Sequence, residues 1–187
     1  MGTHRLFVSV ELPADIQNAI AAVQDPFEGL PGVKLVDPSN THITLAFLGE
    51  TDADTRPAVD SAIEAAIKTS DVGPIQLEVA GLGVFPDFDY ISVIWLGLRT
   101  GASDLTMLHD ALMAELSSLG VEPEDREYIP HVTIARVSDG RSKSDIQDHL
   151  AHTDPSVGQT SIEQLHLMES ILTDGGPQYE SLESYHL

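Results

Sequence analysis

The chain has 187 residues, no cysteine, and 30 acidic against 9 basic side chains, for a net charge of −21. A chain this long can bury a real core, and the missing cysteines exclude disulfides, a thiolate nucleophile and Cys-ligated zinc. The charge argues against wrapping long nucleic acid, because affinity for a polyanion comes mostly from Lys and Arg at phosphates. Arg5 to Glu11 alternates and is β-rich, which predicts a strand. Pro13-Ala14-Asp15 opens a helix with Ile16, Ala19, Ile20 and Val23 at helical spacing. Val33 to Val36 reads as a short strand, and Pro38-Ser39-Asn40 as a turn. Next comes a strand holding His42-Ile43-Thr44-Leu45. Thr55 is placed to cap a helix with Pro57 in its first turn and Val59, Ile63, Ala66 and Ile67 as its buried stripe. Ile75 to Val79 and Tyr90 to Leu98 read as strands around a Gly/Pro/Asp-rich connection, with Gly81-Leu82-Gly83 as a turn or bulge.

The second half echoes the first. Ser103 is expected to cap a helix carrying Leu105, Leu108, Leu112, Leu116 and Leu119 on one face and ended by Gly120. The acidic loop 121–127 and the turn residue Pro130 lead into a strand holding His131-Val132-Thr133-Ile134. A short helix over 144–151 follows, then strands at Ile162 to Met168 and Tyr179 to Tyr185, joined near the turn-forming Gly175-Gly176-Pro177. The fold class expected is α+β: two pseudo-symmetric lobes of mainly antiparallel sheet with outer helices and a cleft between them. Residues 1–187 form a single bilobal domain in this reading, with one motif (42–45 and 131–134) in each half. A pseudo-two-fold axis would bring the two motif strands together at the centre.

The repeated motif carries the chemistry. On a strand, side chains at i and i+2 share a face. Each copy therefore turns a histidine and a threonine to one side and buries its aliphatic pair on the other. One copy is weak evidence, since an ordinary strand can show a His to solvent. Two copies facing each other would assemble two proton carriers and two hydroxyls, as acid–base chemistry at a phosphodiester requires. Arg136 follows the second copy, but strict alternation puts it on the face opposite His131 unless the strand bends.

Other signals have ordinary readings. His149 and His152 lie three apart on a helix and could ligate a metal, but a solvated face beside Asp145 and Asp148 is favoured, so no metal and no cofactor is expected. His109 sits beside Asp110 away from the leucine stripe, which favours the surface, and His166 is taken as structural. Phe7 and Trp95 could stack on a base or pack in the core. The acids are scattered rather than clustered, while 42% of residues are hydrophobic. This fits an acid-coated folded protein in a salt-rich cytoplasm, where a Debye length of about 3 Å at 1 M salt screens self-repulsion. No run of 18 apolar residues and no signal-peptide layout is present, so a cytoplasmic protein without membrane contact is expected, monomeric and with no obligatory protein partner.

The chain resembles the 2H phosphoesterase superfamily, and more closely the RNA 2′,3′-cyclic phosphodiesterase (2′-5′ RNA ligase-like) family. The resemblance rests on RLFVSVELP (5–13), NTHITLAFLGE (40–50), GLGVFP (81–86), IWLGL (94–98), PHVTIAR (130–136) and GGPQY (175–179), in order along nearly the whole length. The chain departs from the family at Ala46 and Ile129, where members often carry a basic residue. The resemblance implies hydrolysis of RNA ends or short nucleotides bearing a 2′,3′-cyclic phosphate to 2′-phosphomonoesters. It makes His42 the general acid that protonates the 3′-oxygen and His131 the general base that activates water. Thr44 and Thr133 would donate to the non-bridging phosphate oxygens, Arg136 would add a contact, and the reverse reaction would join RNA ends through a 2′-5′ bond. Two other readings stand beside this one: hydrolysis of a small cyclic-phosphate nucleotide metabolite, and a nucleotide-binding module without turnover.

Overall fold

A computed structural model describes residues 3–122, 126–173 and 176–187. The middle of the acidic loop and the expected turn residue Gly175 lie outside the described residues. The principal elements among the described residues are, in chain order, β1 (Thr3–Glu11), α1 (Ala14–Gln24), β2 (Val33–Leu35), β3 (His42–Asp52), α2 (Arg56–Ser70), β4 (Ile75–Pro86), β5 (Ile91–Thr100), α3 (Ala102–Leu116), β6 (Val132–Val137), α4 (Lys143–His152), β7 (Ser156–Ile162), β8 (Gln164–Thr173) and β9 (Gly176–His186).

The strands form one antiparallel sheet in the order β7-β4-β5-β6-β3-β1-β8-β9, with β2 added to β6. Two groups of four meet at the centre, β7-β4-β5-β6 and β3-β1-β8-β9. Between β6 and β3 the register is a single residue pair, Ile43 opposite Val132. Both motifs therefore sit at the seam between the lobes, as the pseudo-two-fold reading requires. The lobes are not the two sequence halves, however. The first half runs β1, α1, β2, β3, α2 and then sends β4 across to β5; the second runs β5, α3, β6, α4, β7 and then sends β8 across to β1. The α1 helix, which follows β1 of one lobe, packs on β6 and β7 of the other. The α3 helix, which follows β5, packs on β3 and α2.

Helix faces follow the apolar spacing. Leu105, Leu108, Leu112 and Leu116 of α3 are fully buried, as are Ile63 and Ala66 of α2 and Ile20 of α1. They share one core with Val8, Val10, Ile43, Leu45, Val132 and Ile134 from the central strands. Burying one such side chain contributes about 1.5–3 kcal/mol.

Four details differ from the sequence reading. The α3 helix starts at Ala102, behind Gly101 at φ +87°, so Ser103 lies within its first turn and caps nothing. A Cβ at Gly101 would stand 2.4 Å from Leu77 Cδ2, which accounts for glycine there. Thr55 precedes α2 in helical conformation and its side chain makes no cap. The β4 strand continues through Gly81 and Gly83 to Pro86, with the register shift between Val79 and Leu82 supplying the expected bulge. Finally, β7 has no counterpart among the expected strands because SVGQTSI is polar. It stands at the edge of the sheet, paired to β4, and Glu163 separates it from β8.

Truncating the α3 stripe tests the core. Leu112→Ala is expected to cost about 2–5 kcal/mol in urea unfolding at equal m-value.

Candidate active site

The motif histidines occupy matching environments. His42 opens β3, and His131 immediately precedes β6. His42 Nδ1 lies 2.8 Å from Asn40 O, and His131 Nδ1 lies 2.6 Å from Ile129 O. A carbonyl only accepts, so each ring carries a proton on Nδ1 and leaves Nε2 as the nitrogen that can exchange one. In both copies the carbonyl belongs to the residue two positions earlier.

Aromatic rings fix each imidazole. Phe7 lies tilted against His42 at 5.1 Å between centroids, and Tyr179 meets it edge-on at 5.0 Å. His131 is met edge-on by Phe85 at 4.9 Å and flanked by a tilted Trp95 at 6.0 Å. Phe7 is buried, so of its two expected roles it takes packing. Trp95 lies over Gly83, where an added Cβ would come within 2.2 Å of the indole. Thr44 and Thr133 are half-buried on the same strand faces as their histidines.

Burial lowers the His42 pKa from its ordinary value. The Asn40 carbonyl and the Glu11 carboxylate push it up, and the charges of His131 and Arg136 push it down. Glu11 pairs with His42 across β1 and β3. Its carboxylate also lies 3.9 Å from His166 Nε2, while the Ser184 hydroxyl lies 3.1 Å from His166 Nδ1. His166 thus belongs to the polar row beside His42.

Arg136 is brought to the cleft by a bulge. In β6, Trp95 faces Thr133 while Ile94 faces Ala135, so Ile134 is an extra residue. Ile134 and Ala135 are both buried, and alternation resumes with Arg136 outward on the face of Thr133. The same device stands in β3, where Ser9 faces Thr44, Val8 faces Ala46, and Leu45 is extra. Leu45 and Ala46 are buried and Phe47, 61% exposed, turns out toward Phe7. The offset of 89 residues that relates His42 to His131 also relates Phe47 to Arg136, a correspondence that the motif spacing alone does not flag.

A cavity of about 210 Å³ opens where β3 and the segment before β6 splay apart. Thr44, Phe47, Phe85, His131, Ile129 and Arg126 are among its lining residues. His109 lines it too, which corrects the surface expectation. Its Nδ1 lies 2.7 Å from Leu45 O, and its ring stacks on Tyr128 at 3.9 Å and 9°. Asp110 beside it is exposed, so the polar neighbour misled. His149 packs edge-on against Phe27, and His152 is turned to Asp148. Among the described residues no group of three His, Asp or Glu could hold a metal ion, and no helix is long and apolar enough to cross a membrane.

Residues 12–173 match the model of the 2′-5′ RNA ligase superfamily. The chain belongs to that family. An RNA 2′,3′-cyclic phosphodiesterase of Methanocaldococcus jannaschii is 34% identical over 182 residues, covering 97% of this chain and 99% of that protein. One of Aeropyrum pernix is 35% identical over 155 residues, covering 82% and 85%. Among solved structures, a Thermus thermophilus protein superimposes with a TM-score of 0.81 at 25% identity, covering 98% of this chain and 97% of the other. Escherichia coli LigT complexed with 3′-AMP gives 0.78 at 24% identity, covering 100% and 99%, and supports the fold.

The pKa balance has a measurable sign. Because burial, with the coulombic influence of His131 and Arg136, disfavours the imidazolium, NMR titration of His42 in the free protein should give a midpoint below its ordinary value. Arg136→Gln should raise it, and so should bound inorganic phosphate, whose negative charge favours the protonated ring. A midpoint unmoved by either would contradict this electrostatic picture.

Proposed function

We propose that the protein hydrolyses RNA 2′,3′-cyclic phosphate ends to 2′-phosphomonoesters, with 2′-5′ ligation as the reverse reaction. The observation that carries the reading is the pair of imidazoles, each tied through Nδ1 to the carbonyl two residues before it, on adjoining strands at the seam. Near-full-length relatives named RNA 2′,3′-cyclic phosphodiesterase support the substrate class, and they favour it over a small cyclic metabolite or a module without turnover.

In this reading His131 Nε2 takes a proton from water as the oxygen attacks phosphorus. His42 Nε2 gives its proton to the departing 3′-oxygen. The P–O3′ bond breaks and the phosphate remains on the 2′-oxygen. Two imidazoles suit this exchange because ordinary histidine titrates near neutrality, so one ring can be cationic while the other is neutral. The approach of an anionic phosphodiester offsets the forces that lower the His42 pKa, so the proton arrives with the substrate. Thr44 and Thr133 donate to the non-bridging oxygens, stabilising charge that builds in the transition state. Arg136 contacts the phosphate or its neighbour along the RNA, and Phe47 offers an exposed face to a base. No metal takes part in this scheme.

Residues 1–187 act as one bilobal unit and as a monomer in the cytoplasm. Nine basic residues against thirty acidic ones restrict contact to the substrate's end. We further propose a salt-rich host, in which screening removes the self-repulsion of the surface.

An RNA oligomer with a 2′,3′-cyclic end, assayed in EDTA, checks the chemistry. His42→Ala or His131→Ala should each lower kcat by about 10²–10⁴, and the product should carry a 2′-phosphate. A 3′-phosphate product, or activity that survives either substitution, would end the reading. Raising KCl from about 0.1 M to about 2 M should raise Tm, as the Debye length shrinks; a flat or falling Tm would argue against the salt-rich setting.

A further inference from the structure

The paired bulges are each held by a side chain from a helix. Leu45 O accepts from His109 Nδ1 of α3 at 2.7 Å, and Ile134 O accepts from Gln24 Nε2 of α1 at 2.8 Å. Gln24 is buried at the last position of α1, and its amide also reaches Val36 O at 2.7 Å. Two carbonyl partners fix which way that amide points, because only its NH₂ can donate to them. His109 is backed by Tyr128, whose hydroxyl donates to Thr44 O at 2.9 Å. The α1 and α3 helices each follow the strand next to a motif strand, so the two side chains come from corresponding helices, Gln24 from the last position of α1 and His109 from the middle of α3.

Chemistry distinguishes these two from core residues. A leucine at position 24 would continue the apolar spacing set by Ile16 and Ile20, yet the chain places a buried amide there. A buried polar group that gains no bond costs stability, so such a group is retained where its bond fixes a conformation. The conformation in question is the extra residue in each motif strand. Without it, alternation would turn Phe47 and Arg136 into the core face and bring Ala46 and Ala135 to the cleft.

We propose that Gln24 and His109 are matched positioning residues. By gripping the carbonyl of each bulged residue they keep Arg136 and Phe47 turned into the cleft beside the two imidazoles. Neither touches the reacting atoms. Gln24 acts through Arg136, and His109 acts through Phe47. This inference rests on the reading above that Arg136 and Phe47 contact the substrate.

A double-mutant cycle tests it, read as kcat/KM on an RNA oligomer with a 2′,3′-cyclic end, with Tm recorded for every variant. Gln24→Met, which matches the length of Gln24 without an N–H, should lose about tenfold in the native background. In an Arg136→Gln background it should lose less than about twofold, because the residue it positions is already gone. Gln24→His, which returns a ring N–H, should regain most of the loss. The other lobe gives an independent arm should Gln24→Met not fold: His109→Met against Phe47→Ala, with His109→Asn restoring a donor near Nδ1. Equal losses in both backgrounds of either cycle would overturn the proposal and leave that side chain a general packing residue. If Arg136→Gln and Phe47→Ala each leave kcat/KM unchanged while His42→Ala abolishes it, the positioning proposal fails and the two-histidine reading stands.

Discussion

The contact on which the rest depends is the seam where β3 meets β6, a register of one residue pair, Ile43 opposite Val132. Both side chains are fully buried and lie between the His and Thr of their motifs. Burying them on the core face places both imidazoles and both hydroxyls on the opposite face, by the two-residue period of a strand. Core burial and the geometry of the site are therefore set by the same four residues of each motif. A longer ladder would close the gap between the lobes. One pair lets the strands splay, which opens the cavity lined by Thr44 and His131.

Much of this is written in local pattern. The buried stripes of α1, α2 and α3 follow from spacing, and both motif strands follow from alternating apolar residues. The copy number of the motif made a central, two-fold site the natural expectation. Arg136 shows where such reasoning stops. Its face depends on whether one extra residue is inserted upstream, and a bulge within an aliphatic run leaves no mark in composition. Leu45-Ala46 and Ile134-Ala135 look like continuing strand, yet both members of each pair are buried. The pairing partner decides the matter, and partners are non-local.

Polar neighbours misled at His109. Its ring is claimed by a carbonyl 64 positions away, a bond no window along the chain can contain. Gln24 is hidden for a similar reason, since a polar residue at the end of an amphipathic helix reads as the start of a solvated turn. The polar edge strand β7 is hidden because edge strands carry little hydrophobic signal. The exchange of β4 and β8 between lobes is not legible from order alone, as either strand could have paired within its own half.

A site with perfect two-fold symmetry would accept a molecule equally well either way round. Here the backbones, imidazoles and hydroxyls match, but the position five residues beyond each histidine is phenylalanine in one strand and arginine in the other. A flat apolar ring at one end and a fixed positive charge at the other give the cleft a direction. An asymmetric nucleotide bound there would meet a different partner at each end, so duplicated architecture becomes an oriented slot.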